Sequence, residues 1–324
     1  MPADPLSDVL KTVRLTGAVF FDICARAPWV AEQPSPQAIL PKVLPGAGQL
    51  ISYHVITQGR CFANLIGQEP ISIEAGDIIV FTRGDPHVVA SKPGMRAEKP
   101  NPESLYGQGA IHQPFYVNVG EDGPISARFV CGFLACDDRP FNPLLDNLPP
   151  VIKVSAGQSG SRWLSQFINV ATSETAEKRA GGESVLAKLS ELMFIEVIRR
   201  HLENLPPAQI GWLAGLRDPF VGKALSLIHE KPAHNWTIDD LARDVGLSRS
   251  VLAERFNDMV GIPPIQYLAQ WRMQIAAGLL SGGNANIASI AAETGYSSEA
   301  AFSRAFKRLV GVSPSEHRRQ GIPN

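Results

Sequence analysis

The last third of the chain contains one segment twice. Leu241, Ala242 and Gly246 recur as Ile290, Ala291 and Gly295 at an offset of 49 residues. Beyond the glycine the offset becomes 50, pairing Leu252 with Phe302, Phe256 with Phe306, Val260 with Val310, Gly261 with Gly311 and Pro264 with Pro314. Each copy predicts a short helix, a turn at glycine and a longer helix: TIDDLARDVG then LSRSVLAERFNDMVG, and IASIAAETG then YSSEAAFSRAFKRLVG. The glycine can take the positive φ of a tight turn, Ser248 and Ser298 can cap the longer helix, and Ala242 and Ala291 let the two helices approach. Leu252, Phe256 and Met259, and Phe302, Phe306 and Leu309, fall at i, i+4, i+7 on the core side. This is helix-turn-helix geometry, over about 237–259 and 286–310, and it leaves the opposite face of each longer helix to double-stranded DNA. The segment between them, PPIQYLAQWRMQIAAGLLSGG, predicts a helix of ~25 Å that can hold the two readers near the ~34 Å spacing of successive major grooves.

The first half is patterned differently. Up to about Ser155, short β-branched or aromatic runs (QLISYHVIT, CFANLI, DIIVFT, ISARFVCGFLAC) alternate with Pro- and Gly-rich turns, the signature of a β-barrel or sandwich. The predicted fold class is therefore α+β and multidomain. A β-barrel occupies 1–158, a helical connector 159–209, and an all-α double helix-turn-helix domain 210–324. The connector sequence GESVLAKLSELMFIEVIRRHLENLPP is more apolar than a half-exposed helix needs. Its face of Val185, Leu189, Leu192 and Ile198 either pairs with a second copy, giving a homodimer, or packs within its own chain.

Composition narrows the function classes. Thirty basic against thirty-one acidic residues, a net charge of −1, exclude a uniformly basic coat but not a local basic face. No apolar run approaches the ~18 residues of a membrane span, and the start MPADPLSDVLKTVR lacks the order of a signal peptide, so a cytoplasmic protein with no membrane partner is expected. Four cysteines without a CxxC pair argue against a disulfide scaffold and against structural zinc.

The segment Asp218–Gln320 resembles the AraC/XylS family of bacterial transcription regulators. The stretch IASIAAETGYSSEAAFSRAFKRLVGVSPSEHRR has GYSS, FSRAFK and GxSPxxxRR in the family's register. His317 stands where the family usually has an aromatic, and the equivalent position of the first copy is Tyr267. The resemblance implies a regulator, more an activator than a repressor, with promoter DNA and RNA polymerase as partners. It assigns base reading to Ser250, Ala253 and Glu254 in the first copy and to Ala300, Ala301 and Arg304 in the second. An arginine at 304 can bond bidentately to guanine O6 and N7, whereas Glu254 can only accept from cytosine N4. Arg249, Arg255, Lys307, Arg308, Arg318 and Arg319 are either phosphate contacts or solvated surface charges.

Gly48, His54 and Gly67, followed by Gly76, Gly84 and His87, are spaced like the two motifs of a cupin, which the barrel resembles. Metal-dependent cupins carry further ligands where Ile56 and Arg60 stand here. Two histidines fall short of the three protein ligands a stable site generally wants, so no metal, cofactor or catalytic residue is expected and the chain is read as a non-enzyme. The competing reading is a cupin-type metalloenzyme with an appended helical domain, which predicts bound Fe, Mn or Zn. His54 and His87 are candidates for an effector pocket, for packed histidines, or for a remnant of a metal site. Regulators of this architecture use the barrel as a sensor of a small-molecule or oxidant effector. Cys24 and Cys131 are accordingly the candidate redox residues.

Overall fold

The computed structural model describes residues 4–13, 15–43, 47–97, 115–136, 140–155, 162–177, 179–206, 209–283 and 285–320. The runs of alternating hydrophobicity become nine strands: β1 Thr16–Arg26, β2 Val30–Gln33, β3 Gln49–Leu65, β4 Ile71–Glu74, β5 Asp77–Phe81, β6 His87–Ala90, β7 Phe115–Val119, β8 Ile125–Cys136 and β9 Val151–Ser155. They pair in the order β2-β6-β3-β8-β1-β7, with β4 on β3 and β5 between β3 and β9. Only the β1–β7 pair is parallel among those described. β3 gives the sheet its curl. Its first half pairs with β5 and β8 and its second half with β4 and β6. The bend passes Gly59, whose φ of 77° and whose approach to the Ser126 carbonyl (a Cβ would lie 2.0 Å from it) admit no side chain. The result is a β half-barrel, the cupin region the motifs predict.

Alternate residues of the strands fill the concave side, among them Phe21, Ile23, Ile56, Ile79, Phe81, Phe129 and Phe133. The other side of β1, β3 and β8 lies under the helices α3 (Arg162–Glu177) and α4 (Gly182–Glu203), α1 and α2 being Pro5–Val13 and Pro36–Val43. Tyr53 projects to that side, where its hydroxyl is 2.6 Å from Ser190 Oγ, and Gly132 leaves the room its ring needs. Of the connector face read from sequence, Ile198 is buried and Leu189 half-buried, while Val185 and Leu192 are exposed.

The rest is helical: α5 Trp212–Arg217, α6 Val221–Glu230, α7 Ile238–Val245, α8 Arg249–Val260, α9 Pro264–Gly282, α10 Ile287–Glu293, α11 Glu299–Val310 and α12 Pro314–Gln320. Contacts divide the chain into a barrel unit, Leu15–Asp138 with Pro149–Glu203, and a helical unit, Met1–Arg14 with Arg139–Leu148 and Asn204–Asn324. The sequence boundary at 158 lies outside the described residues. α1 joins the helical unit because it packs on α6 and α9, and the 140–148 segment joins it through Phe141, whose N–H donates to Gln274 Oε1 at 3.3 Å.

Candidate functional site

Both helix-turn-helix copies are built from local chemistry. Thr237 and Asp240 form a reciprocal capping box that starts α7, and the helix ends at Gly246 with φ 84°. Ser248 accepts from Val251 N–H to start α8, which ends on left-handed Gly261. In the second copy Asn286 accepts from Ser289 N–H to start α10, and Ser298 from Ala301 N–H to start α11, which ends on left-handed Gly311. Leu252 and Phe256 are fully buried in one copy, Phe302 and Phe306 in the other, with Met259 and Leu309 half-buried beside them. His317 sits edge-on to Phe306 at 5.5 Å, as Tyr267 does to Phe256 at 5.9 Å, so the departure from an aromatic keeps the same contact. α9 spans 19 residues, about 28 Å, between the copies.

The two turn glycines differ. Gly246 has open space where a Cβ would stand, so only its φ demands glycine. Gly295, at φ 79°, would place a Cβ 2.4 Å from the Ala233 carbonyl oxygen, so steric approach and φ both exclude a side chain there.

The exposed faces diverge further. On α8, Arg249, Ser250 and Glu254 are exposed and Ala253 half-buried; on α11, Ala300, Arg304, Lys307 and Arg308 are exposed and Ala301 half-buried. Arg304 and Lys307 have no hydrogen-bond or ion-pair partner among the described residues. Arg249 stands 3.5 Å from Asp239. Arg255 is not a free cation: its Nε and Nη2 both donate to Asp218 Oδ2, at 3.0 and 2.5 Å, and its guanidinium lies over Phe220. Asp218 in turn caps α6, its Oδ1 accepting from Phe220 and Val221 N–H. Burial pushes the Asp218 carboxyl up, but the bonds from Arg255 and the two backbone N–H groups outweigh it and hold the group below its usual range. Of the sequence-derived candidates for phosphate contact, Arg255 is therefore already matched by a carboxylate. Arg318 is half-buried and donates to the Ala285 carbonyl, whereas Arg319 is exposed.

In the barrel, β3 and β6 bring His54 and His87 together: their Nε2 atoms are 2.8 Å apart. His54 Nδ1 is 2.7 Å from Cys131 Sγ on β8, and His87 Nδ1 is 2.8 Å from the Asp85 carbonyl oxygen. A carbonyl only accepts, so His87 Nδ1 carries its proton and, in the neutral ring, Nε2 accepts from His54 Nε2–H. His54 Nδ1 is then the acceptor for the Cys131 S–H. The chain of hydrogen bonds runs one way, from thiol to Asp85. Burial fits these neutral forms. It lowers His54, with His87 adding to the effect, and pushes His87 down to about 4, partly opposed by its bond to Asp85. Burial also raises the Cys131 thiol well above its usual value.

These groups lie at one side of a partly open cavity whose other walls include Phe21, Ile23, Val89, Phe129 and Phe133. Glu32 and Gln33 of β2 also line it. His54 commits its two nitrogens to partners on opposite edges of the ring, so one ion cannot take His54, His87 and Cys131 together. Among the described residues no cluster of three or more His, Cys, Asp or Glu is arranged to hold a metal. Cys24 is half-buried on β1 opposite Arg128, three register positions from Phe21, which faces Cys131, so the two redox candidates are not brought together. The sequence reading missed Glu32 and Gln33, which sit in VAEQPSP without a motif and reach the cavity only because β2 pairs with β6, placing Gln33 opposite His87.

A cupin family model matches residues 4–203 and a helix-turn-helix domain model matches residues 241–320. The chain is 32% identical to a putative AraC-like transcription regulator of Streptomyces antibioticus, across 99% of this chain and 100% of that protein. It is 28% identical to the HTH-type transcriptional regulator AlkR of Acinetobacter baylyi, across 98% of this chain and 99% of that one. Among solved structures, the DNA-binding domain of the global transcriptional factor AdpA, in complex with a target DNA, is 26% identical and aligns with 32% of this chain and 91% of that chain at a TM-score of 0.30.

Proposed function

Since the chain belongs to the AraC family of DNA-binding transcription regulators, with a cupin region ahead of its helix-turn-helix domain and regulators rather than enzymes as relatives, we propose that α11 is its principal reader of promoter DNA and that a small molecule in the barrel cavity controls it. The observation that carries the reading is Arg304: exposed, unpaired among the described residues, and flanked by Lys307 and Arg308 on a capped helix. Arg304 contacts a guanine edge, Ala300 and Ala301 lie against the neighbouring bases, and Lys307 and Arg308 neutralise phosphates. α8 makes a lesser contribution, through Arg249 and Ser250, because Glu254 is repelled by phosphates.

The cavity ligand shifts the population of binding-competent molecules and so changes promoter occupancy and contact with RNA polymerase, in the direction of activation. The burial and high pKa of Cys131 favour a bound effector over a modified thiol as the signal. No helix among the described residues is long and apolar enough to cross a membrane, and a reader of chromosomal promoters works in the cytoplasm. Val185 and Leu192 remain open to a homodimer contact.

The test is enrichment of genomic fragments on the full-length protein at near-physiological salt. A few promoters should be retained at least ~10³-fold over bulk DNA. Uniform retention of all fragments would contradict specific reading.

A further inference from the structure

The barrel cavity also indicates what it takes, given the effector reading above. Its walls are almost wholly apolar and rich in aromatic rings: Phe21, Phe129 and Phe133 beside Ile23 and Val89. Its polar groups are nearly all occupied from within. Each ring nitrogen of His54 and His87 already has a partner, and Cys131 donates to His54. Glu32 accepts from Arg96 Nε and Nη2 and from Ala97 N–H, so the one carboxylate among the described lining residues is already matched by a cation. With both imidazoles neutral, the described lining residues present no free positive charge to a ligand carboxylate or phosphate.

One acceptor is open. Gln33, 7% exposed, donates Nε2 to Ser52 Oγ at 2.6 Å and to the Gly84 carbonyl at 3.5 Å, which sets the orientation of its amide. Its Oε1 accepts no hydrogen bond from any described residue. An acceptor that the described residues leave open is available to a ligand hydroxyl or N–H.

We propose that the cavity binds a neutral, mainly apolar, aromatic molecule with a single hydrogen-bond donor, a phenol or aryl alcohol in class, whose hydroxyl donates to Gln33 Oε1. The aromatic walls fix the ring plane by offset or edge contacts, and the single donor fixes its direction.

Titration calorimetry of the full-length protein with 2-naphthol, naphthalene and 2-naphthoate, matched in shape, tests this. 2-Naphthol should bind about five-fold tighter than naphthalene, and 2-naphthoate at least roughly a hundred-fold more weakly than 2-naphthol. Gln33→Met should bring the first two ligands level. Ala31→Phe, which projects a ring into the cavity from its half-buried rim, should abolish binding of all three. The three-ligand series needs only the wild-type chain, so it decides the matter if Gln33→Met does not fold. Equal affinity of naphthol and naphthalene, or tight binding of naphthoate, overturns the assigned class. If Ala31→Phe still abolishes that binding, the cavity stands as an effector site of other chemistry. Failure of all three probes to bind overturns the class, and binding unaffected by Ala31→Phe places the ligand outside this cavity and overturns both the class and the effector reading.

Discussion

Each helix-turn-helix copy caps its second helix with a serine, ends it on a left-handed glycine, and buries two large residues four apart, Leu252 and Phe256 in the first, Phe302 and Phe306 in the second. Their solvent faces share almost nothing. α8 carries Arg249 and Arg255 against Glu254 and Asp258, with Arg255 drawn away to Asp218; α11 carries Arg304, Lys307 and Arg308 against Glu299. Glu254 and Arg304 occupy the same repeat position with opposite charge. Caps and buried faces are needed to fold at all, so they stay alike in both copies. The exposed faces are free of that constraint, and the proposed function makes the two copies unequal readers.

The largest expected difference lies in the turns. Gly295→Ala should cost about 3 kcal/mol or more in denaturant unfolding of the helical unit, because a methyl would collide with the Ala233 carbonyl as well as adopt positive φ. Gly246→Ala should cost only about 1 kcal/mol, for the φ alone. Equal costs would mean that the second turn is not held as tightly as its contacts indicate.

Next comes the ion pair found only in the first copy, since the repeat partner of Arg255 is Ala305. Arg255→Ala leaves the buried Asp218 carboxylate with only its two backbone N–H donors, so the variant should unfold at lower denaturant than wild type, by less than a fully buried pair would cost because the guanidinium is 42% exposed. The Asp218 carboxyl is held below its unfolded value of 3.8, so the pair stabilises the fold fully above that value and less as pH falls through the folded one. Stability curves of wild type and variant should therefore converge on acidification below about pH 4. Coincident curves would show that the pair contributes nothing, and parallel, offset curves that its contribution does not depend on the Asp218 charge.

A smaller effect separates positioning from reading. Lys307→Ala should weaken binding to all sequences alike and lower the slope of log K against log salt by about 1. Loss of discrimination at one base pair would make Lys307 a reader instead. The smallest effect is expected for Glu254→Ala, within about two-fold of wild type on a specific promoter, with any change toward tighter binding.

Much of this was legible before any coordinates. Turn glycines, serine caps and i, i+4 aromatics act within a few residues, so the repeat exposed both copies and the face each leaves free. Cupin spacing likewise singles out His54 and His87, leaving open whether they face a pocket, are packed, or are a remnant of a metal site. What escaped depends on partners distant in the chain. The thiol of Cys131, read as a redox candidate, is a hydrogen-bond donor to a histidine 77 residues away. Sequence leaves Arg255 between a phosphate contact and a solvated charge, and its partner is Asp218, 37 residues away. Gln33 carried no signal, because its place at the cavity comes from the β2–β6 register, which sets it opposite His87. Such pairings are set by tertiary register, which composition and periodicity do not encode.

The central claim is that the second copy reads and the first chiefly supports. It is tested most directly by measuring affinity for an enriched promoter, and for its single-base-pair substitutions, in wild type, Arg304→Ala and Glu254→Ala. The account predicts that Arg304→Ala loses about 1–3 kcal/mol and becomes indifferent at one G·C pair, while Glu254→Ala keeps the wild-type profile. An unchanged profile in Arg304→Ala, or an equal loss in Glu254→Ala, would contradict it.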